Sequence, residues 1–229
     1  MLPGSGAAAL EGELVEWFGE RPRFEAFVAG HRDKIRKKLR TAAEDDAVAD
    51  ARAELLVAYR LLAERRFEIA FEAYGTGKRG PDLTLAFRTN QRFNVEVTRL
   101  RAAALGVEGG VSRLASVLLG KVRQLPPGVS NVVALVSGPS AAVAEPDVAA
   151  AVKLLKAHAD RKEETVFTRS GFESARDFYA YYVRLSGVAV VRDGDGPDAG
   201  AGALWTNPEA RQPLPREVVV AVARCLAGT

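Results

Sequence analysis

Pro81-Asp82-Leu83-Thr84-Leu85-Ala86-Phe87 and Phe93-Asn94-Val95-Glu96-Val97-Thr98 are the two stretches whose reading decides the fold. Each alternates large apolar residues with polar or small ones, the two-residue period of a half-buried strand. The polar segment Arg88–Arg92 between them is short, so the two strands are expected to pair as an antiparallel hairpin. In the first strand Asp82, Thr84 and Ala86 share a face; in the second, Asn94, Glu96 and Thr98 do. Asp82 and Glu96 therefore converge beside the open end of the sheet. Two carboxylates brought that close repel each other unless a proton or a cation intervenes. A divalent metal would relieve the repulsion and activate water next to a phosphodiester.

Outward from the hairpin, Phe67–Tyr74 alternates strictly and predicts another strand, joined to Asp82 by a glycine-bounded turn over Gly75–Pro81. Upstream, Leu55, Leu56, Tyr59, Leu62 and Ala63 repeat with helical spacing behind Thr41-Ala42-Ala43-Glu44, which has the spacing of a capping box. Downstream, Leu114, Val117, Leu118, Val122 and Leu125 predict an amphipathic helix ended by Pro126-Pro127-Gly128, and Asn131–Ser137 is a short apolar strand. The order is helix, three strands, helix, strand. A mixed sheet covered by helices is its natural packing, which makes the fold class α/β.

Residues 1–40 read as an N-terminal helical extension, with Leu10, Leu14, Trp17 and Phe18 in helical register, an interruption at Pro22 and resumption over Phe24–Ala29. His31–Arg40 is densely basic, either a solvated helix face anchored by Ile35 and Leu39 or a phosphate-contacting surface. The remainder, 41–229, reads as one domain with its core over 45–136 and a C-terminal elaboration over 145–229. That elaboration comprises a helix over 145–158, a charged, aromatic-rich segment Arg161–Leu185, a strand over Gly187–Val191 and a glycine- and aspartate-rich loop, Arg192–Gly202. A short strand at Leu204–Trp205 and a helix from Pro215 to Leu226 complete it. Phe167, Phe172, Phe178, Tyr179, Tyr181 and Tyr182 either pack a core or offer stacking surfaces to bases; core packing is the ordinary use of aromatics. Cys225, among Val218, Val222 and Leu226, reads as a small buried hydrophobe.

The 229 residues carry a formal charge of +3, 48% hydrophobic and 27% charged residues, the balance of an ordinary globular protein. Apolar runs such as Val132–Val136 are too short to span a bilayer, and the N-terminus lacks a signal-peptide pattern, so a cytoplasmic protein without membrane attachment is expected. One cysteine and two histidines exclude a disulfide framework and a Cys/His zinc site. Any metal must be held by oxygen, which favours magnesium or manganese.

Pro81-Asp82, thirteen intervening residues and Glu96-Val97-Thr98 together resemble the motif of the PD-(D/E)xK nucleases. The surrounding element order over roughly residues 45–136 is similar to the restriction-endonuclease-like core, αβββαβ. The resemblance implies that Asp82 and Glu96 bind Mg2+ (or Mn2+), that the Val97 carbonyl assists, and that a glutamate of the first helix supports the site, Glu54 ahead of Glu64. The chain departs from the pattern at Thr98, where the family carries a lysine that positions or activates water. Lys121 is the leading substitute, since it shares a helix face with Leu114, Leu118 and Leu125; Gln124, three residues on, is placed to orient water or phosphate. Arg99 and Arg101 stay charged and suit a phosphate clamp better than a base. The function implied is metal-dependent hydrolysis of DNA phosphodiester bonds, in a family where homodimers are frequent. The alternative left by Thr98 is a catalytically inactive module of the same fold that binds nucleic acid or protein.

Overall fold

Phe67, Ile69 and Phe71 project to one side of strand β1 (Phe67–Phe71), and the same alternation in β2 (Leu83–Phe87) sends Leu83, Leu85 and Phe87 to that side as well. The computed structural model describes residues 5–42, 45–73, 80–101, 110–138, 143–194 and 202–227. β1 pairs antiparallel with β2, and β2 pairs antiparallel with β3 (Gln91–Leu100), as the hairpin reading requires. The hairpin turns on Arg88 and Thr89, whose φ values of 50° and 68° lie in the left-handed region. β3 then pairs parallel with β4 (Ser130–Ser137), β4 parallel with β5 (Leu185–Arg192), and β5 antiparallel with β6 (Ala203–Thr206). The result is one six-stranded mixed sheet in sequential order.

Parallel neighbours need a crossover, and helices provide both. α5 (Gly110–Val122) joins β3 to β4; α6 (Glu145–Asp160), α7 (Glu164–Thr168) and α8 (Ala175–Tyr182) join β4 to β5. These helices cover one face of the sheet, where Leu114, Leu118, Val148, Leu155 and Phe178 meet Val133, Leu135, Val188 and Val190. The other face is covered by α4 (Asp45–Leu61) and α9 (Arg216–Leu226), with Leu55, Ala58, Val218 and Val222 against Val95, Val97, Val132 and Ala134. Burial on both faces explains the unbroken apolar run Val132–Val136 within β4.

The N-terminal segment forms α1 (Ser5–Glu20), α2 (Pro22–Gly30) and α3 (Arg32–Thr41), with the break at Pro22. Phe24, Phe27 and Ile35 join the same buried cluster as α4 and the sheet. Arg23 locks this arrangement by donating to the carbonyls of Leu62, Glu64 and Phe67 at 3.0, 2.8 and 2.6 Å, where α4 ends and β1 begins. Phe167, Phe172, Phe178 and Tyr182 are buried and pack on one another, so this part of the aromatic segment is core. Cys225 is buried as expected, and burial pushes its thiol up to about 11.

Three boundaries differ from the sequence reading. Thr41 ends α3, its hydroxyl donating to the carbonyls of Lys37 and Lys38, and so does not cap the next helix; Ala43 and Glu44 lie outside the described residues. β1 stops at Phe71 because Glu72 turns out of the strand with φ 44°; Tyr74, Lys78 and Arg79 are likewise outside the described residues. α5 ends at Val122, not at Leu125. Of the loop after β5, residues 195–201 are not described, while Asp193 is held by Arg52 of α4 at 2.5 Å. Among the described residues no helix is long and apolar enough to cross a membrane.

Candidate active site

The register of the hairpin sets the site. Leu83 faces Val95 and Thr84 faces Asn94, so one more step of the same ladder brings Asp82 beside Glu96. Asp82 stands just before β2, and its Oδ2 accepts the Val97 N–H at 2.8 Å, which fixes the carboxylate at the strand end. Glu96 lies within β3 and is only 7% exposed, on the sheet face towards α5. From the last turn of α5, Lys121 Nζ donates to Glu96 Oε1 at 2.8 Å. Leu114 and Leu118, on the same side of that helix, are buried and carry the lysine inward. Across the sheet, α4 supplies Glu54, also 7% exposed, between buried Ala53 and Leu55.

Two further charged residues join the cluster that sequence reasoning did not assign to it. Lys38 of α3 donates to both oxygens of Glu54 at 2.7 and 2.6 Å and to Glu72 at 3.2 Å, and lies 3.8 Å from Asp82 Oδ1. Glu72 stands at the end of β1, its N–H donating to the Asp82 carbonyl at 2.9 Å. Lys34, one turn before Lys38, donates to the carbonyls of Phe71 and Glu72, both at 2.9 Å, and so holds α3 against the end of β1. A signal was present in the sequence: Lys38 follows the apolar anchor Ile35 by three residues, which places it on the inward face of α3. The basic run is thus divided, with Lys34 and Lys38 engaged while Arg36, Lys37 and Arg40 are exposed.

Four carboxylates, Glu54, Glu72, Asp82 and Glu96, therefore face two ammonium groups, Lys38 and Lys121, a surplus of two negative charges when all are ionised. The surplus is felt in proton affinities. Burial first, and then the charge of Asp82, push the Glu54 carboxyl up to about 8, against the pull of Lys38. Burial and Asp82 raise Glu96 too, opposed by Lys121. Burial alone would lower Lys38, but Glu54, Asp82 and Glu72 outweigh it and raise its pKa above the ordinary lysine value.

The other candidates divide. Val97 and Thr98 line a cleft of about 660 Å³ together with Asp82, Glu54 and Lys121. Gln124 does not join them: α5 has already ended, the side chain is exposed, and its amide donates to the Gly120 carbonyl at 3.3 Å. Glu64 is committed elsewhere, since Arg66 binds it at 2.9 and 2.6 Å and holds its carboxyl down at about 2. Arg99 is occupied by Asp46 and Asp50 at 2.6 and 3.0 Å.

Among the described residues no three His, Cys, Asp or Glu side chains stand as a preformed metal cage. Glu54 and Glu72 are drawn to Lys38, and Glu96 to Lys121. The donor set nevertheless fits a hard divalent cation: it is all oxygen and over-anionic, with Glu54 and Glu96 buried and Asp82 and Glu72 open to the solvent side. Comparison with protein-family models, with curated proteins and with solved structures finds no match to this chain.

Proposed function

We propose that the chain is a divalent-metal-dependent nuclease that hydrolyses DNA phosphodiester bonds on a restriction-endonuclease-like core. The observation that carries this reading is the 2.8 Å contact between Lys121 and Glu96. It supplies, from α5, a lysine beside the carboxylate pair in a chain whose motif position holds Thr98. The order α4, β1, β2, β3, α5, β4 also agrees with that core. Asp82 and Glu96 would hold magnesium or manganese, supported by Glu54 and the Val97 carbonyl. When bound, the ion supplies Lewis acidity at a phosphate oxygen and a lowered pKa for water. Lys121 donates hydrogen bonds next to Glu96, where it orients the attacking water or a phosphate oxygen. Asp82, pinned by the Val97 amide, is preorganised for its task.

Incubation of the chain with duplex, single-stranded and branched DNA and with RNA, in magnesium or manganese, tests the reading. Cleavage by the wild type that is abolished in Asp82→Ala, Glu96→Ala and Lys121→Met supports it. No cleavage of any substrate, or undiminished cleavage by the variants, removes it. Lys38 favours a second reading, a noncatalytic binding module, because its ammonium already compensates Glu54, Glu72 and Asp82. In that case divalent metal binds negligibly and no hydrolysis depends on it.

A further inference from the structure

The cleft has two electrically different ends. Glu54 and Asp82 line it, with Glu96 alongside; further along β3 and α5 it is lined by Arg99, Arg101 and Arg113, with Asp50 of α4 beside the first two. The three arginines are not equivalent. Arg99 is only 22% exposed and held closely by two carboxylates of α4. Arg101, on the segment leaving β3, is 57% exposed and touches the same aspartates loosely, at 3.3 and 3.9 Å. Arg113 is exposed, and among the described residues no carboxylate pairs with it. Arg113, Val117 and Lys121 follow one another at four-residue spacing on α5, so one helix face presents a cation, an apolar contact and the site lysine along the cleft.

Resting on the nuclease reading, we infer that this cleft takes one sugar-phosphate backbone of nucleic acid, with Arg101 and Arg113 gripping the phosphate next to the linkage that meets the carboxylates. Without a cation between them, the carboxylates of Asp82 and Glu96 repel a phosphate. The cationic end offers its neighbouring phosphate a binding place and so delivers the adjoining linkage to the carboxylates. Arginine suits this work because its planar fork matches phosphate geometry.

Equilibrium binding of fluorescent single-stranded and duplex DNA and single-stranded RNA, measured in EDTA over a salt series, tests this without requiring catalysis. Arg101→Ala/Arg113→Ala is expected to lose roughly tenfold or more in affinity for these ligands. For single-stranded DNA the slope of log affinity against log salt should fall by about 0.7, the value for one single-strand phosphate contact. Arg216→Ala, an exposed cation on α9, serves as the control and should change neither quantity. Unchanged affinity and slope in the double variant overturn the inference. Arginine-dependent binding without metal-dependent cleavage would leave the inference standing and remove the nuclease reading. Cleavage whose KM ignores both arginines would do the reverse.

Discussion

Asn94 and Glu96 are neighbours on one face of β3, two residues apart, and both are buried, yet their surroundings have opposite characters. Asn94 is 1% exposed and belongs to a neutral network across the sheet. Thr84 donates to its Oδ1 and its amide donates to Asn131 Oδ1, both at 3.1 Å; the Asn131 amide donates onward to the carbonyls of Pro126, Val129 and Arg184. Buried polar groups so paired hold strands in register without net charge. Glu96 is hydrogen-bonded to Lys121 and feels the repelling charge of Asp82 and the more distant attraction of Lys38. One position satisfies its polar groups internally, whereas the other retains surplus charge beside an open cleft. A surplus of that kind is unfavourable for folding and useful for binding a cation or a substrate.

The contrast can be broken at several points, the largest effect coming first. Asp82→Ala or Glu96→Ala is expected to lower kcat by about a thousandfold or more, equivalent to roughly 4 kcal/mol of lost transition-state stabilisation. Glu96→Gln should melt no lower than the wild type, since it removes a repelling charge. Lys121→Met should cost about 10²–10⁴-fold in kcat, with little change in KM. Asn94→Leu should act in the opposite sense. It orphans Asn131 and Thr84 and should destabilise the fold by about 1–3 kcal/mol, measured by urea unfolding, while the molecules that remain folded keep their activity.

Smaller effects sharpen the comparison. Lys38→Met removes an ammonium that competes for Glu54, Glu72 and Asp82, and should tighten manganese binding by roughly tenfold, on the order of 1.4 kcal/mol. In metal-free buffer stability should fall as pH rises. The folded Glu54 carboxyl holds its proton to about 8, against 4.5 for an unperturbed glutamate, so its protonated form favours the folded state most fully at low pH. That contribution is lost as pH climbs through this window. A Tm series from pH 5 to pH 9 should show the decline, and Glu54→Gln should flatten it.

Much of this arrangement was legible in the residues. Period-two alternation placed β2 and β3, and the short polar segment between them fixed the pairing that puts Asp82 beside Glu96. Lys121 was legible because it shares a helix face with Leu114 and Leu118, and that face has to meet the sheet. Gln124 was misplaced because the reading carried α5 three residues past its end, from Val122 to Leu125, which is the scale at which helix termini are uncertain from sequence. Lys38 was harder. Its partners Glu54, Glu72 and Asp82 lie 16, 34 and 44 positions away in the chain, so its role depends on how α3 docks and not on local pattern. Asp46 and Asp50 illustrate the same limit, since their neutralisation of Arg99 joins α4 to the end of β3. The arrangement also shows that the N-terminal helices supply part of the site's charge as well as part of the core.

The proposal that the carboxylate set binds a catalytic cation is tested most directly by titrating the chain with Mn2+ and following free manganese by electron paramagnetic resonance. The expected result is saturable binding by the wild type that Asp82→Asn and Glu96→Gln each abolish while remaining folded by circular dichroism. Absence of saturable binding in the wild type, or binding that both variants retain, would contradict it.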